Sequence, residues 1–128
     1  MSNYTVKNVK EIDNAAEQFG IEGMEARFGR KPLALEEFGF SFQALTPNFR
    51  QPFGHRHATQ EEAYVVLRGS GRIKVEDEIV ELGPMDALRI GMNTMRAVEA
   101  GPEGVEYIAF GAGDDPQDAD MVQDWWSD

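Results

Sequence analysis

The residues best suited to chemistry are the two histidines of the chain, which stand two positions apart in Gly54-His55-Arg56-His57. In an extended strand, residues i and i+2 point to the same face, so both imidazoles are expected to face one space while Arg56 faces the other. A lone histidine on an apolar strand is more often a satisfied core residue. A pair of neutral imidazoles on one face instead indicates a metal-ligand pair.

Glu62 is the expected third ligand, with four residues between it and His57 and six between it and Gly69. Two imidazoles and one carboxylate from neighbouring strands would form a facial site that suits Fe(II), Mn(II), Ni(II) or Zn(II) and leaves open positions for substrate or water. Glu61 is the alternative carboxylate. We favour Glu62, because its distance from Gly69 leaves room for a full strand before the turn.

Short apolar runs separated by Gly and Pro dominate the chain from Met24 onward. The alternating aromatic residues of Phe38-Gly39-Phe40-Ser41-Phe42 predict a strand, because side chains in a strand repeat every two residues. Further strands are predicted at residues 62–67, 72–75, 79–82, 87–90, 95–98 and 105–110. The segment before them, about residues 9–19, predicts one short helix with an Asn8–Glu11 capping box. These elements indicate an all-β sandwich or barrel with a short N-terminal helix.

The run His-x-His-x4-Glu-x6-Gly resembles the first motif of the cupin superfamily. The second motif of that family matches residues 83–96, where Asp86 corresponds to the turn aspartate and Asn93 stands in the position of the turn glycine. Arg96 replaces the third histidine. The resemblance spans about residues 38–111 and implies a double-stranded β-helix, or jelly-roll barrel, as the core of a single domain over residues 1–128.

Arg96 leaves two arrangements open, because a protonated guanidinium offers only hydrogen-bond donors and does not ligate metals. In the first, His55, His57 and Glu62 hold a divalent ion, and Arg96 binds a carboxylate of the substrate. In the second, Arg96 pairs with Glu62 and fills the position of the metal, leaving a metal-free pocket. In that pocket the imidazoles would act as hydrogen-bonding or acid–base groups. We take Glu62 and Arg96 as the candidate catalytic residues.

The candidate substrate pocket extends beyond these residues. Tyr64 has the same strand parity as Glu62, and Gln43 and Tyr107 are further candidates. Met92 lies within the second motif, where methionine could adapt to an irregular apolar ligand. We therefore predict a pocket that includes Tyr64, Arg96, Gln43, Met92 and Tyr107.

The composition excludes several classes of function. The 128-residue chain has no cysteine, so disulfides, thiolate nucleophiles and cysteine-ligated metals are excluded. It carries 12 Lys and Arg against 23 Asp and Glu, a net charge of −11, and shows no basic run, so we expect no nucleic-acid partner. It has neither an apolar run of membrane-spanning length nor the apolar core of a signal peptide at its start, so we expect no membrane association and a cytoplasmic location.

Residues 112–128 form an acidic segment that contains Trp125 and Trp126. We expect this segment to dock on the barrel or on a partner subunit, with a short helix opening at Asp115-Pro116. Barrels that resemble this one often pair through sheet edges, so we expect a homodimer.

The leading functional hypothesis is a metal-assisted enzyme that oxygenates, isomerises or decarboxylates a small, anionic metabolite. The alternative is a non-enzymatic binding or sensing protein that uses the same pocket, metal-free if Arg96 fills the metal position. A third hypothesis is a degenerate barrel that serves dimerisation. The resemblance alone does not choose among these, because one fold supports many functions.

Overall fold

The computed structural model describes residues 3–112 and 118–128. The strands are β1 (Met24–Phe28), β2 (Gly39–Leu45), β3 (Phe53–His57), β4 (Glu62–Val75), β5 (Glu78–Leu82), β6 (Ala87–Ile90), β7 (Arg96–Gly111) and β8 (Ala119–Gln123). The helical elements are short: a 3₁₀ turn (Val9–Glu11), α1 (Ala15–Gln18) and α2 (Arg30–Leu33). None of the helices in this part of the chain is long and apolar enough to cross a membrane.

Two long strands join the halves of the barrel. β4 and β7 pair with each other along most of their lengths, with register shifts between Val66 and Arg68 and between Gly69 and Gly71. The first part of β4 also pairs with β6 and its second part with β5. One wall therefore contains β1, β2 and β6, the other contains β3, β5 and β8, and β4 and β7 contribute to both. This arrangement confirms the predicted all-β, barrel-like fold.

The strand boundaries differ from those predicted. Residues 62–67 and 72–75 belong to the single strand β4, and residues 95–98 and 105–110 fall almost entirely within β7. Gly69 allows the strand to bend without ending, because its φ is +74°, a conformation that glycine adopts readily. A side chain at this position would also clash with β7, since a Cβ would lie 2.1 Å from the Gly104 carbonyl oxygen. The sheet also includes β1 and β8, which lie outside the predicted barrel core of residues 38–111.

The prediction of one N-terminal helix over residues 9–19 is wrong. Asn14 interrupts it in an extended conformation, and its side-chain oxygen accepts hydrogen bonds from the backbone N–H groups of Ala16 at 3.1 Å and Ala26 at 2.9 Å. Asn14 therefore caps α1 and also links it to β1. The helix does not continue through this residue, because an asparagine side chain that bonds to the backbone competes with the helical hydrogen-bond pattern. The 3₁₀ turn before it is capped separately by Asn8.

The described end of the acidic segment lies against the barrel. β8 pairs with β3 along its whole length, and Trp126 is buried. The Arg50 guanidinium lies 4.4 Å from the Trp126 ring centroid, and the Lys74 ammonium lies 4.6 Å from that of Trp125. These cation–π contacts and the strand pairing hold the segment in place. The predicted helix at Asp115-Pro116 lies outside the described residues.

Candidate metal and ligand site

The structure brings His55, His57 and Glu62 together. The two imidazoles extend from β3, with ring centroids 5.2 Å apart and planes at 87°. Glu62 begins β4, which is joined to β3 through β7. One potential ligand atom from each of the three residues lies within 4.8 Å of the other two. Two nitrogens and one oxygen at this separation can hold a divalent ion.

Glu61 lies apart from this group. Its side chain is 66% exposed, and its carboxylate lies 3.7 Å from the guanidinium of Arg89. The Glu62 side chain is only 13% exposed, so the strand alternation turns Glu62 inward and Glu61 outward.

Arg96 is buried in the barrel and does not line the cavity described below. Its Nη2 donates to Oε1 of Glu62, its Nε to the Tyr64 hydroxyl at 3.3 Å, and its Nη1 to the Thr94 carbonyl at 3.1 Å. Burial alone would lower the pKa of Arg96, but Tyr64 and Glu62 raise it, so the guanidinium stays charged. The ion pair with Glu62 matches the second predicted arrangement, and the guanidinium is not placed to clamp a substrate carboxylate as in the first.

His55 is held in its neutral form. Burial, followed by the nearby charges of Arg96 and His57, lowers the pKa of His55 to about 3. Its Nδ1 is the only buried side-chain nitrogen or oxygen without a hydrogen-bond partner in the described part of the chain. Because buried polar atoms are nearly always satisfied, this nitrogen indicates a place for a ligand, an ion or a water.

Asp118 is a site residue that the sequence analysis missed. Its Oδ1 lies 2.7 Å from Nδ1 of His57, and its Oδ2 accepts from the backbone N–H and the hydroxyl of Thr59 at 2.9 and 2.8 Å. Burial would raise the pKa of Asp118, but these hydrogen bonds hold it well below its usual range. The carboxylate therefore favours a proton on Nδ1 of His57 and leaves Nε2, 3.6 Å from Oε2 of Glu62, free to bind a ligand.

The predicted pocket residues Tyr64, Gln43 and Tyr107 lie in one connected cluster. The Tyr64 and Tyr107 rings stack with centroids 5.2 Å apart. The Tyr107 hydroxyl donates to the amide oxygen of Gln43 at 3.2 Å. Tyr64 and Gln43 line the cavity, whereas Tyr107 does not. Burial raises the pKa of Tyr64 to about 12, so its phenol keeps its proton at neutral pH.

Met92 does not belong to the pocket as predicted. It is 61% exposed in the turn before β7, and it does not line the cavity. That turn contacts β3 through the backbone, where the Asn93 N–H donates to the His57 carbonyl at 2.7 Å. Asn93 adopts a φ of 55°, a conformation that asparagine tolerates better than most residues. The methionine side chain is therefore directed to solvent by the turn geometry.

A cavity of about 630 Å³ lies beside this group, between the β1–β2 wall and the β3–β8 wall. His55, His57, Glu62, Tyr64 and Gln43 line one part of it. Its volume falls within the range of small-molecule sites. The rest of the lining contains many apolar side chains, which the sequence analysis did not identify as pocket residues and which include Phe19, Ile21, Phe28, Phe40, Phe53 and Met121. It also contains five polar residues: Arg30, Ser41, Gln51, Gln60 and Gln123.

Comparison with protein-family models gives no match, and comparison with curated proteins gives none. Solved structures do match. A cupin protein from Bacteroides fragilis superposes with a TM-score of 0.73 at 26% identity, over 88% of this chain and 86% of that chain. A variant of Streptomyces PAC13 with uridine gives 0.75 at 18% identity, over 96% and 93%. Oxalate decarboxylase from Bacillus subtilis gives 0.74 at 22% identity, over 94% of this chain but 34% of that one. The strand arrangement and these similarities show that the chain is a small protein of the cupin fold.

Proposed function

We propose that this protein is a metal-assisted enzyme that acts on a small molecule held in the cavity. The observation that carries the proposal is the convergence of ligand atoms from His55, His57 and Glu62 within 4.8 Å of one another in the cavity wall. Similarity to oxalate decarboxylase supports an enzyme of this fold, and similarity to PAC13 with uridine supports a small-molecule ligand.

The three side chains fit a divalent ion in their chemical state as well as in their position. His55 is neutral and has an unpartnered buried nitrogen. Glu62 uses Oε1 for Arg96, whereas Oε2 faces Nε2 of His57. A carboxylate can bind an arginine through one oxygen and a metal through the other, so the ion pair does not exclude a three-ligand centre.

Each residue has a defined part in the proposed reaction. His55, His57 and Glu62 would hold Fe(II), Mn(II), Ni(II) or Zn(II), which would supply Lewis acidity and open coordination positions. Arg96 fixes the orientation of Glu62 and balances its charge. Tyr64 keeps its phenolic proton and can donate a hydrogen bond to a substrate oxygen.

The second candidate function is a metal-free binding or sensing protein. The Arg96–Glu62 ion pair favours it, because a buried guanidinium beside the carboxylate supplies positive charge where a metal would otherwise supply it. In that case the imidazoles would act as hydrogen-bonding groups toward the ligand. Metal content separates this function from the first.

The test is elemental analysis of protein purified without chelators, followed by calorimetric titration with each of the four ions. A metal-assisted enzyme should bind one ion per chain, and His55→Gln should abolish binding. Glu62→Gln should also weaken metal binding, and Glu61→Gln is its matched control, since the two carboxylates are adjacent but only Glu62 faces the site. Circular dichroism of each variant shows whether the fold is retained.

Turnover is then measured for the metal-loaded protein, as oxygen consumption with Fe(II) and as carbon dioxide release, over a panel of small carboxylic acids that includes oxalate. Absence of stoichiometric metal, together with no binding of any of the four ions, would contradict the metal-assisted function and leave the binding function. Metal binding without turnover of any compound would contradict the enzymatic part alone.

A further inference from the structure

Small side chains keep the cavity open. Elsewhere in the barrel, inward positions carry Leu45, Val66, Ile73 and Val98, which fill the interior. Around the cavity, by contrast, the lining includes five alanines and two glycines: Ala15, Ala16, Ala26, Ala109, Ala119, Gly39 and Gly111. Because folded interiors are close-packed, a space of about 630 Å³ bordered by small residues is unusual in a barrel of this size, and its volume matches that of small-molecule sites.

Large apolar side chains surround this volume on its open side. Phe19, Phe28 and Met121 line the cavity and are 79%, 53% and 53% exposed, respectively. They come from three separate segments, α1 and its C-cap, β1 and β8. Exposure of three such side chains around one opening is unfavourable in water and is relieved when an apolar group covers them.

Several polar groups of the cavity lining already have hydrogen-bond partners. Gln43 donates to the Ser41 hydroxyl oxygen at 3.1 Å and accepts from Tyr107. The Gln51 amide oxygen accepts from the Val98 N–H at 2.9 Å. Among the described residues, the buried side-chain atom without a partner is Nδ1 of His55. Arg30, Gln60 and Gln123 also line the cavity, so it is the buried atom without a partner, and not the number of polar residues, that points to the candidate metal site as the place of a polar head group.

We infer that the ligand is amphipathic: an oxygen-bearing head group meets His55, His57 and Glu62, and an apolar body, of the size of a medium-length acyl chain or an aromatic ring, fills the alanine-lined volume. This inference rests on the proposed function for the position of the head group. It differs from the sequence-based expectation of a small anionic metabolite, because Arg96 is committed to Glu62 and the cavity has room for far more than a compact anion.

The probe is a series of straight-chain carboxylates: acetate, butyrate, hexanoate and octanoate. Binding is measured by calorimetry on the full chain, both with and without Zn(II). Affinity should rise by up to about fourfold for each added methylene, the factor that corresponds to burial of one methylene group. The rise should stop when the cavity is full.

Two variants locate the apolar body. Ala109→Leu places a larger side chain on the buried wall beside Tyr64, and Ala119→Leu does so on the exposed strand β8, where the fold has less to lose. Each should weaken octanoate binding at least tenfold and weaken acetate binding much less, so that the ratio of the two affinities falls. Ala63→Leu is the matched control, because Ala63 lies on β4 next to Tyr64 but is exposed on the outer face and outside the cavity.

The outcomes separate this inference from the proposed function. Equal affinity for all four carboxylates, or no binding of any of them, would overturn the amphipathic ligand even if a metal binds stoichiometrically. An increase with chain length that Ala109→Leu and Ala119→Leu leave intact would also overturn it, since the chains would then bind elsewhere. An increase that both variants abolish, in a protein that binds no metal, would support the amphipathic ligand and contradict the metal-assisted enzyme.

Discussion

Replacement of Asp118 by asparagine tests whether the C-terminal segment sets the state of the site. Asp118 accepts hydrogen bonds through both oxygens, from His57 on one side and from Thr59 on the other. Asparagine has one acceptor oxygen and one donor nitrogen, so it can satisfy only one side. If its oxygen faces Thr59, its NH₂ group faces Nδ1 of His57 and favours the tautomer with the proton on Nε2, which removes the lone pair that would bind a metal.

The expected effect of Asp118→Asn is a loss of metal affinity of about 10- to 100-fold, the usual range for a partner of a metal-binding histidine. This loss corresponds to about 1.4–2.7 kcal/mol. Calorimetric titration with Zn(II) measures the affinity, and nitrogen-15 NMR of the imidazole reports the tautomer of His57 in the metal-free protein. A purely structural role for Asp118 would lower stability but would not change the tautomer.

The matched control is Asp120→Asn. Asp120 lies two residues further along and pairs with Arg56, but its side chain is 57% exposed and the ion pair is on the surface. Such a pair contributes between about 0 and 1 kcal/mol to stability, and its loss should leave metal affinity unchanged. Equal metal affinity in wild type and Asp118→Asn, with the proton still on Nδ1 of His57, would refute the reasoning.

Further predictions concern Arg96, His55 and assembly. Arg96→His should raise metal affinity by roughly tenfold or more, since it replaces a positive charge by a fourth nitrogen ligand; no gain on titration would show that residue 96 does not face the metal position. Arg96→Met should lower the free energy of unfolding in urea by about 3–5 kcal/mol, because Glu62 would keep a largely buried charge without its partner; a loss below about 1 kcal/mol would show that this ion pair is not essential to the fold. The pKa of His55 is lowered to about 3 in the folded chain, so between pH 6.5 and 5 only the unfolded chain takes up the proton. The free energy of unfolding should therefore fall by up to about 1.4 kcal/mol per pH unit as the pH drops through this window, and His55→Gln should remove this component. The predicted homodimer should show twice the chain mass in sedimentation equilibrium, and a monomer mass would contradict it.

The shared face of His55 and His57 was predictable because it depends on the local geometry of one strand, whereas Glu62 comes from another strand and was identified by its spacing in the sequence. The two-residue spacing of His55 and His57 fixes a shared face in any strand, and the choice of Glu62 over Glu61 came from its distance to Gly69. The turn chemistry of Gly69 likewise marked the bend, although not that one strand continues through it. Patterns that depend on neighbours in sequence therefore carried the fold and the centre of the site.

The remaining features depend on contacts between distant parts of the chain. Asp118 reaches His57 across 61 positions and is one of eight acidic residues after position 100, so nothing in the sequence distinguishes it. The sequence left the partner of Arg96 undecided for the same reason, since a guanidinium can pair with any nearby anion. Met92 was assigned by its place in a motif, but turn geometry directs it to solvent. The N-terminal helix was wrong because Asn14 bonds to β1, a contact outside its own segment.

The position of β8 at the rim of the sheet links access to the site with its affinity. Among the described residues, β8 pairs with β3 alone, so it can separate from the barrel without breaking any other strand pair. Its detachment would at once take Met121 from the opening and Asp118 from His57, and the imidazole would be free to change tautomer. Hydrogen exchange of the β8 amides should thus slow on saturation with Zn(II), because a metal that favours the closed form suppresses local unfolding of this strand.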